Sequence, residues 1–300
     1  MTWFAGIDLG GTNLKAVAVT ADGSRLQQLT GVTHHGDASA SEWVQQARAA
    51  LDGFTEKLSA PPIAVGVCAP GLAAADGRSI AHLPHKLAGL VGLDWTSALN
   101  RAKTVPVLND AHAALLGEAW IGAARDRQHV VMLTLGTGVG GAVICDGRLL
   151  RGAMGRAGHI GHMSLNPEGH PSIAGMPGAI ETLIGDCTVA ARTQGRFTTT
   201  AALVAAHRAG DADATEHWSR SVRALACAIG SCINLFDPER VVLGGGIAQA
   251  GDALFAPLAR ELDRIEWRPG GHRVAIVPAQ LAEWAGAIGA ARNSFLHDSC

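Results

Sequence analysis

The stretch that decides the fold is Ile7-Asp8-Leu9-Gly10-Gly11-Thr12-Asn13-Leu14-Lys15, near the start of the printed sequence. Apolar and β-branched residues at 3–9 and 14–19 predict two strands, and the glycine pair between them predicts a hairpin with a glycine tip. Successive backbone N–H groups in such a tip can hold a phosphate, and glycine lets the phosphate approach without a Cβ in the way. The alternative interpretation is an ordinary hairpin turn.

Asp8 ends the first of these strands. A carboxylate repels a phosphate, so its useful role beside one is to hold a hydrated Mg²⁺ that bridges phosphate oxygens. The alternative is a solvated aspartate at a turn. The sequence therefore offers a metal-facing carboxylate only if the glycine tip binds phosphate.

The composition suits one large or two ordinary globular domains, with 300 residues, 48% of them hydrophobic and 17% charged. A formal charge of −2 provides no basic surface for nucleic acid and no polybasic segment for a membrane. No apolar run reaches the ~18 residues of a spanning helix, and no signal peptide is evident. The six cysteines show no CxxC spacing. We expect a reduced, cytoplasmic protein that binds neither nucleic acid nor membranes.

A second copy of the hairpin begins at Val130. A strand at 130–135 is followed by Gly136-Thr137-Gly138-Val139-Gly140-Gly141 and by a strand at 142–145. One constant offset relates Leu9 to Leu135 and Val17 to Val143. Two units that each open on a strand, a glycine tip and a strand predict a duplicated fold in which both tips hold one nucleotide.

Strands and helices alternate along the rest of the chain. Helical spacing predicts helices at 40–58, 111–120, 221–236 and 283–295, and apolar runs predict strands at 63–68, 105–108, 241–243 and 274–277.

Two of these strands end at residues that could carry chemistry. Asn109-Asp110 stands between a strand and a helix, as an N-cap or as a carboxylate fixed at a strand end for general-base catalysis. Gly244-Gly245-Gly246 follows another strand. It predicts either a junction that faces a nucleoside or a helix start packed tightly on the sheet.

In this order and spacing the motifs resemble the ROK family of bacterial sugar kinases, which have the actin-like (ribonuclease H-like) ATPase fold. The resemblance covers most of the chain and rests on segments at 8–13, 70–71, 109–110, 135–141, 158–162 and 244–246. It implies two α/β domains around a nucleotide and sugar cleft. We predict an N-terminal domain of residues 1–112, completed by a C-terminal helix at 284–300, and a C-terminal domain of residues 113–283.

The resemblance implies phosphoryl transfer from ATP to a hexose hydroxyl, as in a glucokinase. Asp110 would be the base that takes the hydroxyl proton, and Asp8 would position Mg²⁺ through water. Phosphates would be held by Gly10, Gly11, Thr12, Asn13, Gly136, Thr137 and Gly138, adenosine by Gly245 and Gly246, and sugar hydroxyls by Asn109, His159, His162 and Glu181. Phosphoryl transfer needs mainly positioned reactants, neutralised charge and one base. We also expect a homodimer.

The chain departs from the family pattern at the family's zinc motif, CxCGxxGCxE. Ser172, Ala174 and Ala179 stand where the family has the three cysteines. A structural zinc needs about four N or S ligands, so we predict no structural zinc. We expect packing to hold the loop instead, with Pro171 and Pro177 limiting its freedom.

A second departure is His159, where the family usually has a glutamate that accepts hydrogen bonds from the sugar. A neutral imidazole offers one donor and one acceptor in place of the acceptors of a carboxylate. Either the sugar substituent at this place differs, or His159 faces away from the sugar.

Several alternatives stay open. The substrate could be another hexose or an N-acetylhexosamine, and polyphosphate could be the phosphoryl donor. A non-catalytic sugar or nucleotide sensor is disfavoured by Asp8, Asp110 and both glycine hairpins, and a phosphotransferase for an acid or a protein by His162 and Glu181. A transcription regulator would need a helix-turn-helix ahead of the first strand, where only Met1-Thr2 stand.

Overall fold

The computed structural model describes residues 2–11, 13–32, 40–83, 87 and 89–298. Thr12, one of the residues predicted to bind phosphate, lies outside the described residues. Of the helices in the part of the chain that the structure describes, none is long and apolar enough to span a membrane.

The strands are numbered in chain order. They are β1 (Phe4–Leu9), β2 (Asn13–Val19), β3 (Arg25–Val32), β4 (Val65–Ala69), β5 (Leu72–Ala73), β6 (Ile80–His82), β7 (Val107–Asn109), β8 (Val130–Leu135), β9 (Val139–Cys145), β10 (Arg148–Leu149), β11 (Arg240–Gly244) and β12 (Ala275–Pro278).

The helices are numbered in the same way, with short 3₁₀ segments between some of them. They are α1 (Ala40–Leu58), α2 (Trp95–Ala98), α3 (Asp110–Ile121), α4 (Ile180–Ile184), α5 (Val189–Arg192), α6 (Thr200–Arg208), α7 (Ala212–Phe236), α8 (Asp252–Ile265) and α9 (Ala285–Asp298). The predicted helix at 40–58 and the predicted strand at 130–135 are confirmed at both ends. Strand β3 was not predicted.

The chain forms two compact units. Unit 1 contains Met1–Asp126, Arg151–Ala157 and Gln280–Cys300, and unit 2 contains Arg127–Leu150 and Gly158–Ala279. The domain limits expected from the sequence, at 112 and 284, stay a prediction.

Each unit contains a sheet with the same plan. In unit 1 the strand order is β3-β2-β1-β4-β7, and in unit 2 it is β10-β9-β8-β11-β12. Within each sheet the first three strands are antiparallel and the last two join in parallel. Parallel neighbours need a crossover connection, which helices supply here. The duplication predicted from the two glycine hairpins is confirmed.

The offset between the two hairpins is not constant, and this corrects the sequence alignment. Leu9 pairs with Leu14 across four intervening residues, whereas Leu135 pairs with Val139 across three. As a result the partner of Leu133 is Gly141, while Ala16 is the partner of Ile7 in the first hairpin. The second tip is one residue shorter, so strand β9 begins inside the predicted glycine run.

The two faces of the unit 1 sheet are packed differently. On one face the apolar side of α1, including Trp43 and Phe54, packs against β1 residues such as Ile7. On the other face α9 lies so close that a Cβ on Gly6 would come 1.8 Å from the carbonyl oxygen of Ala287. Side chains alternate along a strand, so Asp8 also faces α9. In unit 2, helices α7 and α8 pack on β8 and β11 around one apolar core.

Glu118 on α3 is a buried carboxylate in unit 1. Its side chain is 0% exposed and accepts hydrogen bonds from the backbone N–H groups of Ala123 (2.6 Å), Gln280 (2.9 Å) and Leu281 (2.8 Å). A buried carboxylate needs such donors. Glu118 thereby joins the end of α3 to the point where the chain re-enters unit 1.

Candidate active site

Asp8 is fixed by the strand that carries it and by the start of α9. A Cβ on Gly286, in the first turn of α9, would lie 2.6 Å from Oδ2 of Asp8. Asp8 is paired with Cys68 of β4 in the parallel register, and the thiol donates a hydrogen bond to the carboxylate. The partners of Asp8 in these two contacts, Gly286 and Cys68, were not singled out by the sequence analysis.

The pKa of Asp8 is raised to about 6, first by burial and then by the negative charge of Asp110. The hydrogen bond from Cys68 and the charge of Lys15 act in the opposite direction. The interaction means that two predicted functional carboxylates, from β1 and from α3, converge in unit 1. Two carboxylates held together relieve their repulsion by binding a proton or a cation.

Asn109 ends β7 and caps α3. Its Oδ1 accepts hydrogen bonds from the N–H groups of Ala111 (2.9 Å) and His112 (3.2 Å), and its Nδ2 donates to the carbonyl oxygen of Gly71 (2.9 Å). The N-cap interpretation of the Asn-Asp pair therefore holds for Asn109. Asp110 is the first residue of α3, and its Oδ1 accepts a hydrogen bond from Ala111 N–H (2.8 Å). The residue is exposed, so its carboxylate is the member of the pair that a ligand can reach.

The tip of the first hairpin is closed by a hydrogen bond from Gly10 N–H to the carbonyl oxygen of Asn13 (2.9 Å). Gly11 is described and Thr12 is not. Unit 1 therefore brings Asp8, Gly10, Gly11 and Asn13 together on one hairpin.

The second hairpin tip is tied to the following helices of unit 2. The carbonyl oxygens of Gly136 and Thr137 accept hydrogen bonds from the N–H groups of Asp186 (3.0 Å) and Cys187 (2.9 Å). The N–H and C=O of a trans peptide point in opposite directions, so the N–H groups of Thr137 and Gly138 are turned away from that contact. This arrangement suits a bound phosphate.

Glu181 lies against the second tip. Its Oε2 accepts a hydrogen bond from Val139 N–H at 3.1 Å, and a Cβ on Gly138 would come 2.2 Å from the same oxygen. Sequence reasoning assigned Glu181 to the sugar alone. The structure shows Glu181 holding the shape of the predicted phosphate tip, and the sugar contact stays a prediction.

His159 and His162 have stacked rings, with centroids 6.3 Å apart and planes at 4°. A Cβ on Gly161 would come 1.8 Å from the carbonyl oxygen of Val139, so the segment lies directly on β9. Nδ1 of His162 is buried and has no hydrogen-bond partner in the described structure. Such an atom needs a water or a ligand group as its partner.

Gly245 and Gly246 follow β11. Gly245 has φ +85°, and a Cβ there would come 2.2 Å from the carbonyl oxygen of Leu135. The tight-packing interpretation therefore holds for Gly245. A Cβ on Gly246 would meet nothing within 4 Å. The glycines open a 3₁₀ helix, Gly246–Ala250, and the α-helix begins only at Asp252, which corrects the predicted direct step into a helix.

The loop at the lost zinc motif is held by backbone hydrogen bonds between its arms. Ser172 N–H donates to the carbonyl oxygen of Met176 (2.9 Å), and Leu165 N–H donates to the carbonyl oxygen of Gly178 (2.9 Å). Ile173 and Met176 are 65% and 42% exposed, so the tip of the loop gains little from burial, and the expectation that packing holds the loop stays a prediction. Among the described residues no group of three or more His, Cys, Asp or Glu side chains could hold a metal ion.

The model of the ROK family matches residues 4–293. A glucokinase of Halalkalibacterium halodurans is 31% identical over 96% of this chain and 93% of its own length. An N-acetylmannosamine kinase of Escherichia coli is 33% identical over 95% of this chain and 96% of its own.

Solved structures give the same relationship. A ROK hexokinase from Thermus thermophilus has a TM-score of 0.88 at 27% identity, over 99% of both chains. A ROK family glucokinase from Streptomyces griseus, in complex with glucose and AMPPNP, has a TM-score of 0.79 at 26% identity, over 98% of this chain and 99% of that one. The expected actin-like ATPase fold is confirmed.

Proposed function

The chain belongs to the ROK family, and from that premise we propose that it is an ATP-dependent kinase that phosphorylates a hexose hydroxyl. The support is a family match over nearly the whole chain, glucokinases and N-acetylmannosamine kinases among its relatives, and a fold shared with sugar kinases. The leading form of the proposal is a glucokinase-type enzyme.

One observation supports the chemistry above all others, the convergence of Asp8 and Asp110 in unit 1. Asp110 stands exposed at the start of α3, where a carboxylate can take the proton from an attacking hydroxyl. General-base catalysis of this kind contributes about 10²–10⁴-fold. Asn109 fixes the position of that first turn through its cap and its bond to Gly71.

The residues around Asp8 fit a magnesium ion held mainly through water. The half-buried carboxylate has a raised pKa beside a second carboxylate, and Mg²⁺ in kinase sites is bound by one or two carboxylates plus phosphates. When bound, Mg²⁺ supplies positive charge that neutralises the transferring phosphoryl group. The N–H of Gly11 in the first tip and those of Thr137 and Gly138 in the second would bind phosphate oxygens, since Gly10 N–H is bonded to Asn13.

A second candidate substrate is an N-acetylhexosamine. Relatives at 33% identity are N-acetylmannosamine kinases, and His159 replaces an acidic residue beside His162. An imidazole can exchange one donor and one acceptor with a neutral amide, whereas a carboxylate can only accept.

An assay of sugar phosphate formation tests the proposal, with ATP and with polyphosphate as donors. The sugars are glucose, mannose, allose, fructose, glucosamine, N-acetylglucosamine and N-acetylmannosamine. We expect turnover with ATP and strong preference for one of these sugars. A flat response across the panel with both donors would contradict the proposed function.

His159→Glu separates the two substrate candidates. If His159 contacts the acetamido position, the variant should lose about tenfold or more in kcat/KM for N-acetylmannosamine relative to glucose, because a carboxylate cannot donate a hydrogen bond to the acetamido carbonyl oxygen. His170→Glu, at an exposed loop residue, is the matched control and should leave the ratio unchanged. Equal ratios in the two variants would show that His159 faces away from the sugar.

We also infer a cytoplasmic enzyme that acts as a homodimer. Sedimentation of the purified protein tests the second inference, and a monomer at micromolar concentration would contradict it.

A further inference from the structure

A cavity of about 100 Å³ lies within unit 1, beside the helix that begins at Asp110. Its walls include Leu108, His112 and Arg151, and its rim includes the exposed residues Ala75 and Gly152. A site for one water needs about 10–15 Å³, so this cavity has room for a small polyatomic ligand. The sequence analysis and the proposed mechanism use none of these residues.

Arg151 is the charged group of the cavity. Among the described residues, its side-chain hydrogen bond goes to Oδ1 of Asn293 at the long distance of 3.5 Å, and no carboxylate lies within ion-pair distance of it. Burial lowers the pKa of Arg151. Partial burial disfavours the charged form of a guanidinium that has no counter-charge beside it, and a bound anion would relieve this.

A second donor stands next to it. Asn293 on α9 is 3% exposed, and its Nδ2 has no hydrogen-bond partner in the described part of the chain. Buried polar groups are almost always paired in native proteins. The charge of Arg151 also contributes, after burial, to the lowered pKa of His297 on the same helix. In the part of the chain that the structure describes, the surroundings of Arg151 therefore hold donors and positive charge, with no carboxylate within ion-pair distance.

We propose that this cavity binds a small oxyanion, either a phosphate or a carboxylate group, with Arg151 as its main contact. A guanidinium presents two parallel N–H donors that match both kinds of group. Asn293 supplies a further donor, or holds the guanidinium in place while the anion binds. The rim at Ala75 and Gly152 gives the anion its way in.

The cavity is connected to the proposed chemistry through its walls. Leu108 and His112 flank the Asn109-Asp110 pair in the sequence and both line the cavity. An anion bound there would stabilise one position of the start of α3, so it should change turnover. This consequence rests on the proposed function, whereas anion binding itself does not.

The test is calorimetric titration of the full-length protein with inorganic phosphate, and in a second arm with acetate, at constant ionic strength. Three variants are compared with the wild type. Arg151→Gln removes the charge, Asn293→Asp supplies a counter-charge in the same shape and removes the second donor, and Arg156→Gln removes an exposed arginine of the same segment as the matched control.

We expect a saturable binding event with one or both anions in the wild type. Arg151→Gln and Asn293→Asp should weaken that event at least tenfold, while Arg156→Gln should stay within twofold of the wild type. Because Asn293→Asp pairs the buried charge instead of deleting it, this variant should fold even if Arg151→Gln does not.

Two results would overturn the proposal. One is no saturable event with either anion in the wild type. The other is an event that both site variants retain at the strength seen in Arg156→Gln, which would place the anion elsewhere, such as at the glycine tips. Neither result depends on turnover, so a failure of the proposed kinase activity would be seen separately.

Discussion

The two glycine hairpins share one backbone arrangement, a strand, a glycine tip and a second strand, and differ in the side chains that lie beside it. In the first, Asp8 stands one residue before the tip and lies near Asp110, Cys68 and Lys15. In the second, Thr134 stands at that place, the tip is one residue shorter, and Glu181 lies against it. The glycine tip supplies backbone N–H donors in both units. The acidic side chain belongs to the first hairpin, where we propose the metal, and in the second hairpin Glu181 holds the tip in one shape.

The largest difference should appear in how stability depends on pH. The pKa of Asp8 in the folded protein is about 6, above its value of about 3.9 in an unfolded chain. Between these values the folded state binds more protons at Asp8, so the contribution of Asp8 to the free energy of unfolding should fall as pH rises from 4 to 7, by about 3 kcal/mol at most. Urea unfolding across this pH range, without metal or nucleotide, measures the change in the free energy of unfolding.

Asp8→Asn should remove this part of the pH dependence and should be more stable than the wild type at pH 7. Thr134→Val, at the corresponding place in the second hairpin, should leave the slope unchanged. If Asp8→Asn kept the wild-type slope, the raised pKa of Asp8 would not be the source of the pH dependence.

A smaller difference concerns the strand after each tip. A Cβ on Gly141 would come 2.5 Å from the carbonyl oxygen of Gly158, whereas the equivalent Ala16 fits as a buried side chain. Gly141→Ala should lower the free energy of unfolding by about 1–3 kcal/mol through overpacking. Ala16→Gly, the reverse exchange, should cost about 1 kcal/mol. Equal, small effects in urea unfolding would show that the segment at 158–162 can move away.

The smallest expected effect tests the shape of the second tip. Glu181→Gln replaces a carboxylate acceptor of Val139 N–H by a weaker neutral one, at a cost of about 1 kcal/mol. The KM for ATP should therefore rise about fivefold, and Glu168→Gln, at an exposed loop residue, should change nothing. If only the KM for sugar rose, Glu181 would bind the sugar, as expected from the sequence, and would not support the phosphate tip.

The parts of the fold with strong local patterns could be predicted from the sequence. Helix α1 has apolar residues at helical spacing, and β8 is an apolar run closed by glycines, so both ends of each were found. Strand β3 was missed because its sequence, with Gln27, Gln28 and Thr30, has no clear alternation and lies at the sheet edge. Edge strands bury little, and their pattern is weak.

Only the candidate-site residues that belong to recognisable motifs could be predicted from the sequence. Asp8 and Asp110 stand out as carboxylates at strand ends. Cys68 and Glu118 do not, because their roles depend on neighbours that the fold brings from distant segments, the paired strand in one case and residues 280–281 in the other. Parallel register would have placed Cys68 beside Asp8 once β4 was aligned. Arg151 carried no signal, since its burial follows from how its segment joins unit 1.

The measurement that tests the central claim most directly is the kcat of Asp110→Asn with the preferred sugar, together with the affinity for AMPPNP and sugar. We predict a fall in kcat of about 10²–10⁴-fold with both affinities within a few fold of the wild type, and Asp52→Asn, at an exposed residue of α1, unchanged. A near-normal kcat in Asp110→Asn would contradict the assignment of this carboxylate as the base.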